Sequence, residues 1–401
     1  MRVLIWCLVL SGMLTATACS NFFGEKTDTD FIDVPEFASD VDAYVPILPI
    51  LTGFSDPVDV LAGYDELFYV VDQGTSQIIA HDQAGRPMAS YTLPGVKAVA
   101  QDRRLNLLAI ATADTTIGQT TYSVDAIYRL QLYNNGLYDL GNARIIKRIT
   151  HPFYFKPSIN TSDTETQLND IAVLGNNRYY VTRSGLRNSP TQFGGPDDNI
   201  LYFDSDDTYL GTLPVQTTQG QRRDFFRKPF GIATFAQPAI PPAQTVSNSE
   251  DFIFSSLDSN LTLQVLYMKA VPTDNGTVYQ VNTDLILGDT TRADGFLYEP
   301  HKFQEPVGLT VQFGKSGTNY VFVADAGTDS LYQFSTAGLE GISPAPTATS
   351  LKWINVSFGG PGTTPTRFDG PAAVANLNNT LYICDRSNRR ILRYRLARDL
   401  E

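Results

Sequence analysis

The sequence predicts an all-β protein, and three observations carry that expectation. Short runs rich in Val, Ile, Tyr and Phe recur along nearly the whole chain, each closed by Gly, Pro, Asn or Asp. Gly occurs 30 times and Pro 23 times in 401 residues, and aromatic residues make up 11%, a mix suited to many short strands joined by tight turns. A signature of the form F-x-x-P returns at Phe54–Pro57, Phe226–Pro229, Phe303–Pro306 and Phe368–Pro371, with Tyr91–Pro94 a close variant. At 42% hydrophobic and 18% charged, the chain has the apolar material for a large core.

Residues 1–18 open with Arg2, run through apolar residues from Val3 to Leu14 and end in small ones. That run is too short to span a bilayer and has the proportions of a secretory signal. The stretch Ala16-Thr17-Ala18-Cys19 resembles a bacterial lipobox, with Ala16 where Leu is more usual. The resemblance implies cleavage before Cys19 and a diacylglycerol on its thiol. It also implies a cell-envelope address, at the outer membrane or a periplasm-facing membrane; an ordinary signal with an incidental Cys is the alternative. Cys7 would leave with the signal, so no internal disulfide is expected, and Cys384 in the run LYICD is expected to be a small buried hydrophobe. Residues 19–42 are acidic and show no sustained period, as in a tether. From 43 to 401 no linker-like break interrupts the pattern, and one domain is expected.

The repeated unit has a mechanical logic. Pro lacks an N–H and suits the first residue of a strand, and the Phe before it can wedge between neighbouring sheets. A second element follows in three units: YVVDQGTSQI from Tyr69, FVADAGTDSL from Phe322 and YICDRSNRRI from Tyr382. Its apolar run is a buried strand. Its Asp is expected to accept hydrogen bonds from the turn amides that follow, with Gly74, Gly327 and Asn388 taking the unusual backbone angles. In two units a Gly follows that Asp at the same spacing, Asp72 to Gly85 and Asp325 to Gly338.

These features resemble the NHL-repeat family of β-propellers over nearly everything after residue 43. The resemblance implies six four-stranded antiparallel blades, whose first strands begin near Pro57, Val96, Asn169, Phe230, Val307 and Ala372. The last unit supplies only GPAAVAN, NTLYICD and RRILRYRL. The segment Ala43–Leu51 is expected to provide the missing fourth strand and close the ring; Pro46 and Pro49 are tolerable there because an outermost strand is a rim.

In such a blade the fourth-to-first connectors and second-to-third loops share one face. Residues 113–124 and 184–199 are expected as second-to-third loops, and 151–167, 217–224 and 289–302 as connectors, with the insertion 236–250 on the opposite face. YVTRSG places Arg183 where other units have the turn Asp; a donor-only side chain there would grip a carboxylate or phosphate, or pair with Asp197 or Asp198. The second residue past each strand-opening Pro should approach the central channel. Gly231, Gly308 and Ala373 are small at that place and Asp59 is charged, with Lys97 and Asp170 nearby. Arg222 and Arg223, interleaved with Phe225 and Phe226, are candidates for an anionic glycan, and His301 lies on the same elaborated face.

The formal net charge of −12 argues against nucleic acid as a partner, since phosphate binding needs a surplus of Lys and Arg. Of His81, His151 and His301, His81 falls in a third strand away from the axis, so a three-His zinc site is not expected. No G-x-S-x-G elbow and no C-x-x-C pair occurs. Lactonases on related propellers hold a central calcium with Glu, Asn and Asp. Asp59, Asn169 and Asp170 would contribute to such a site, but no fitting Glu opens another inner strand. The expectation is a non-enzymatic binding or scaffolding module for a protein or glycan, held at the membrane by its lipid alone and needing no cofactor. The alternative is a calcium-dependent hydrolase, lactonase-like, or a lyase acting at the channel.

Overall fold

Runs of β-branched and aromatic residues, punctuated by turns, fold in the computed structural model into six small sheets set in a ring. The structure describes residues 43–397, apart from 118, 151–163, 192–194, 239–248, 275, 287, 314–317 and 346–347. The expected signal 1–18, Cys19, the whole tether 19–42 and most of the connector 151–167 and of the insertion 236–250 lie outside the described residues.

Two short strands, β1 (Tyr44–Pro46) and β2 (Leu51–Thr52), precede blade 1, made of β3 (Pro57–Ala62), β4 (Phe68–Asp72), β5 (Gln77–His81) and β6 (Pro87–Thr92). Blade 2 comprises β7 (Ala98–Gln101), β8 (Asn106–Ile117) and β9 (Thr120–Gln131). A small hairpin, β10 (Tyr133–Asn134) and β11 (Leu137–Tyr138), then leads to its outermost strand β12 (Arg144–Thr150). Blade 3 holds β13 (Gln167–Val173), β14 (Tyr179–Ser184), β15 (Asn199–Phe203) and β16 (Tyr209–Thr212). The hairpin of β17 (Val215–Thr217) and β18 (Gly220–Arg222) comes next. Blade 4 follows as β19 (Pro229–Thr234), β20 (Phe252–Ser256), β21 (Val265–Thr273) and β22 (Gly276–Val281), and β17 pairs in parallel with β22. Blade 5 is β23 (Pro306–Phe313), β24 (Asn319–Asp325), β25 (Ser330–Ser335) and β26 (Phe358–Gly359); blade 6 is β27 (Pro371–Leu377), β28 (Thr380–Asp385) and β29 (Arg390–Leu396). The molecule is an all-β, six-bladed β-propeller.

The ring closes where expected. Tyr44 pairs with Leu396, Val45 with Arg395 and Pro46 with Tyr394, and further on Leu51 pairs with Ile391. The Ala397 N–H donates to the Ala43 carbonyl at 2.9 Å. The clasp is broken in the middle. After the Ile47 N–H donates to the Arg393 carbonyl at 2.8 Å, residues 48–50 leave the ladder, and the Arg393 side chain donates to the Pro49 carbonyl at 3.0 Å instead. Six apolar layers form the core, one between each pair of neighbouring blades. The repeated Phe of F-x-x-P is the wedge in four of them: Phe54, Phe226, Phe303 and Phe368 are all buried between sheets.

The recurring Asp does more than the sequence predicts. It binds the turn that follows, as where Asp325 accepts from the Gly327 N–H at 3.0 Å, and its carboxylate also reaches back to the residues between Phe and Pro. Asp72 accepts from the Ser55 and Asp56 N–H groups at 3.0 and 2.7 Å, and Asp325 from those of Gln304 and Glu305 at 2.9 and 2.7 Å. Asp385 accepts from the Asp369 N–H at 2.8 Å. Gly74 and Gly327 are needed for close approach: a Cβ on Gly74 would stand 2.5 Å from the Ser55 Oγ, and one on Gly327 2.6 Å from the Gln304 Cβ. The left-handed residue of these turns is Ser76, Asp329 or Arg389.

Two expected loops prove to be ladder. Residues 113–124 lie in a hairpin whose pairing runs from Asn106 with Gln131 to Ile117 with Thr120, its Thr-rich alternation making a projecting ribbon. Residues 217–224 include the β17–β18 turn and strand β18. Cys384 is fully buried on β28, as expected, with its thiol against the Pro57 carbonyl at 3.0 Å.

Candidate functional site

The innermost strands β3, β7, β13, β19, β23 and β27 stand round the axis and enclose a cavity of about 500 Å³. An innermost strand has one edge with no ladder partner, so its outward N–H groups must be satisfied by side chains. In the first half of the ring, carboxylates do this. Asp59 accepts from its neighbour Val60 and, across the blade boundary, from the Val99 N–H, both at 2.8 Å. Asp125, on β9, accepts from the Leu168 N–H of blade 3 at 2.7 Å and from the Lys97 ammonium at 2.6 Å. Asp170 accepts from Ile171 at 2.7 Å and from the Ile232 N–H of blade 4 at 2.8 Å. Three blade boundaries are thus stapled by acids.

The second half has no room for such staples. A Cβ on Gly231 would lie 2.7 Å from the Val307 carbonyl oxygen, and one on Gly308 2.7 Å from the Ala373 Cα. The Gly231 N–H finds the Ser255 hydroxyl at 2.9 Å instead.

Burial sets the protonation of the two channel acids. Loss of hydration pushes Asp59 up to about 6, against the pull of the Val99 and Val60 N–H groups. Asp170 rises to about 8, through burial first and the negative charge of Asp59 second.

The two mouths differ. At the end bearing the first-to-second loops, the Tyr64 hydroxyl of blade 1 donates to the Ala236 carbonyl of blade 4 at 2.6 Å, a bond that joins opposite sides of the ring. Gln237 and Pro238 line that end as well. The other end opens among the inter-blade connectors, with Gln73, Glu305, Arg386 and Ser387 at its border. There the Arg386 guanidinium holds the Asp56 carboxyl below the usual carboxylate range through two bonds of 2.7 and 2.9 Å.

Of the residues singled out in the sequence, Asp59, Lys97, Asn169 and Asp170 meet on this cavity. Asn169 donates to the Ser184 hydroxyl at 2.9 Å and to the Pro229 carbonyl at 2.7 Å. The others stand apart from it. Arg183 is 1% exposed and donates to the carbonyls of Asp197 and Pro196 at 2.7 and 2.5 Å, so it binds loop main chain inside the fold; burial lowers its pKa. The duty that Asp performs in other blades passes to Asp198, which accepts from the Gly185 and Lys228 N–H groups at 3.0 and 2.9 Å. Arg222 forms a two-pronged pair with Asp224, both bonds 2.9 Å, and Arg223 is exposed beside it. His301 is exposed in a left-handed turn of the connector before blade 5.

Sequence reasoning missed Asp125 and Tyr64, whose partners lie on other blades. It also found no Glu for a calcium site, although Glu305 borders the cavity. Among the described residues no group of three or more His, Cys, Asp or Glu stands together as metal ligands. Both oxygens of Asp59 and of Asp170 already face main-chain N–H groups, which fits a calcium ligand set poorly. His81 is buried on β5, stacked on Phe68 at 4.9 Å, and is not part of the cavity wall.

These features define a six-bladed β-propeller with an axial cavity stapled by acids on one side. No protein-family model matches the chain, and no curated protein matches its sequence. Among solved structures it is similar to a luciferin-regenerating enzyme, at 10% identity and a TM-score of 0.49 over 88% of this chain and 95% of the other. It is also similar to an auxiliary nutrient binding protein from Bacteroides thetaiotaomicron, at 11% identity and a TM-score of 0.49 over 86% and 70% of the two chains. A virginiamycin B lyase from Staphylococcus aureus aligns at 10% identity and a TM-score of 0.43 over 88% and 99%.

Proposed function

We propose that the protein is an exported, lipid-anchored propeller of the NHL-repeat kind that binds a protein or glycan without catalysing a reaction. The face that bears the inter-blade connectors receives the partner, and the open mouth of the axial cavity takes its leading polar group. One observation carries the preference for binding over chemistry. The channel carboxylates occupy both their oxygens with main-chain N–H groups, so they act as structural staples and leave no unencumbered base or nucleophile among them. The cavity wall then offers shape, the Gln73 amide, the Asn169 amide oxygen and those Lys97 N–H donors not aimed at Asp125, which suits recognition of hydroxyl- or amide-bearing ligands.

A second reading has its own support. Burial raises the pKa of both Asp59 and Asp170, and the negative charge of Asp59 raises Asp170 further. Two neighbouring carboxyls held above the ordinary range therefore stand on one cavity wall, as in the acid–base pair of a hydrolase or lyase.

Capture from detergent-extracted envelopes separates the readings. Ser387 is exposed at the open mouth, so Ser387→Trp narrows the entrance without touching the core. The expected result is a protein or glycan that co-purifies with the wild type and is reduced at least tenfold with the variant, at unchanged melting temperature. Equal capture by both proteins overturns a role for the cavity mouth. Turnover of ester, lactone or glycoside substrates that disappears with Asp170→Asn supports the second reading instead.

A further inference from the structure

The stretch of blade 2 from Tyr133 to Arg148 carries chemistry that the axial cavity does not use. Of the large apolar side chains that stand exposed among the described residues, five sit here: Tyr133 at 61%, Leu137 at 59%, Tyr138, Ile145 and Ile146. Soluble surfaces scatter such side chains singly, and a cluster marks a contact. The hairpin that presents the first three is fixed. The Tyr138 hydroxyl donates to Asp65 of blade 1, and the Asn134 amide donates to the Asn142 carbonyl at 3.1 Å, just before β12. On β12 the pairing with β9 slips between Ile145 and Lys147, which makes Ile146 the extra residue of a bulge and re-aims the local side chains.

The same strand is basic. Arg144, Lys147 and Arg148 are all exposed, in a chain of net charge −12. Among the described residues none of the three forms a salt bridge with a carboxylate; Lys147 donates to the Asp206 carbonyl at 3.3 Å and Arg144 to the Gln131 amide at 3.1 Å. Asp206, its pKa lowered by its hydrogen bonds to Thr208 and by the charge of Lys147, is the acid beside Lys147. Arg148 bonds to the Tyr128 hydroxyl, so three cations stand with one neighbouring carboxylate beside the exposed aliphatic and aromatic groups.

We propose that this corner of blade 2 docks on an anionic lipid bilayer. Leu137, Ile145, Ile146 and Tyr133 enter the headgroup boundary, where amphipathic rings and aliphatic side chains are favoured, and the three cations meet acidic headgroups. Two features favour a lipid surface over an acidic polypeptide adding to the edge of β12. Strand addition reads an uninterrupted ladder, and the bulge at Ile146 breaks it. A hairpin tip and a rim strand also form a projection, and none of these residues lines the axial cavity or the cleft between blades 3 and 4. The surface lies apart from the connector face, and it does not require a lipid on Cys19. Its failure therefore leaves the proposed binding function standing.

Hydrogen–deuterium exchange of the full chain with phosphatidylcholine vesicles, with and without phosphatidylglycerol, tests the proposal. The expected result is slowing of exchange on the order of tenfold across residues 133–148 on the anionic vesicles alone, reversed at high salt. Because each cation near an anionic surface is worth about fivefold in partition, the combined Arg144→Gln, Lys147→Gln, Arg148→Gln variant is expected to bind on the order of a hundredfold more weakly. Unchanged exchange in the other blades confirms that this surface variant is folded. Ile145→Ser with Ile146→Ser should weaken binding without removing the salt dependence. No protection on anionic vesicles overturns the proposal, as does protection that survives the charge variant. Protection by soluble polyglutamate but not by vesicles also overturns it and assigns the surface to an acidic polypeptide.

Discussion

Blades 1 to 3 and blades 4 to 6 meet the axis in different ways. In the first half, Asp59, Asp125 and Asp170 each reach across a blade boundary to an N–H group that the sheet leaves without a partner. In the second half, Gly231, Gly308 and Ala373 let the inner strands approach until no side chain fits between them. The comparison teaches that one geometric problem, the unpaired inner edge of a blade, has a polar solution and a steric one. The polar solution places buried acids on the cavity wall; the steric one brings main chains together at Gly231 and Gly308. The buried acids of the cavity are consequently gathered on blades 1 to 3, while Thr234, Thr310 and Glu305 supply polar groups of other kinds from blades 4 and 5.

The largest effect is expected from disturbing the steric half. Gly308→Val forces a branched side chain against the Ala373 main chain, which cannot swing aside, and should cost about 3 kcal/mol in denaturant unfolding. A loss under 1 kcal/mol would mean that the inner strands are less tightly apposed than they stand here. Next comes the polar half. Asp59→Ala deprives the Val99 and Val60 N–H groups of their acceptor and should cost about 2 kcal/mol, moderated because a desolvated acid leaves with it.

The smallest effect sharpens the comparison through pH. Asp170 has a folded-state pKa of about 8, above its ordinary value, so the native protein holds a proton that the unfolded chain has released. Stability from this group is fully present at low pH and declines as pH rises from about 4 through about 8. Asp170→Asn resembles the protonated acid in shape, and it should flatten that decline, raising the melting temperature at pH 8.5 relative to the wild type while changing little at pH 5. An unchanged slope in calorimetric scans would place the titration elsewhere.

Much of this frame was legible in the sequence because it depends on local spacing. In blades 1 and 5 F-x-x-P and the later Asp recur as a pair since the Asp carboxylate binds the two amides inside that motif, whereas in blade 4 the motif stands without it and Asp198 takes the Lys228 N–H. The closing strand was legible for a related reason: a last unit of three strands needs a partner, and one segment upstream of the first motif could supply it. What escaped was contact between distant blades and the direction in which a side chain points. Nothing in the surroundings of Asp125 announces that it serves blade 3, and nothing near Tyr64 announces Ala236. Arg183 was recognised as a departure from the repeat, but no pattern of letters distinguishes a guanidinium that faces solvent from one that turns inward to carbonyls. Residues 113–124 read in the sequence as an inserted second-to-third loop; twelve-residue strands on either side of the turn continue the ladder through it.

The clasp of β1 on β29 has a mechanical consequence. Any pull exerted through the residues before Ala43 is delivered first to three paired residues at the rim of the last blade, and to Leu51 and Thr52 only after the intervening segment straightens. The wheel is thus fitted with a two-stage fuse: tension first strips a short outer seam, drawing the Tyr44 ring away from Phe322 and Phe358, and only then reaches Leu51, and relaxation lets the seam zip shut again. A molecule tugged from that end would yield by small reversible steps at one seam while five of its six segments kept their shape.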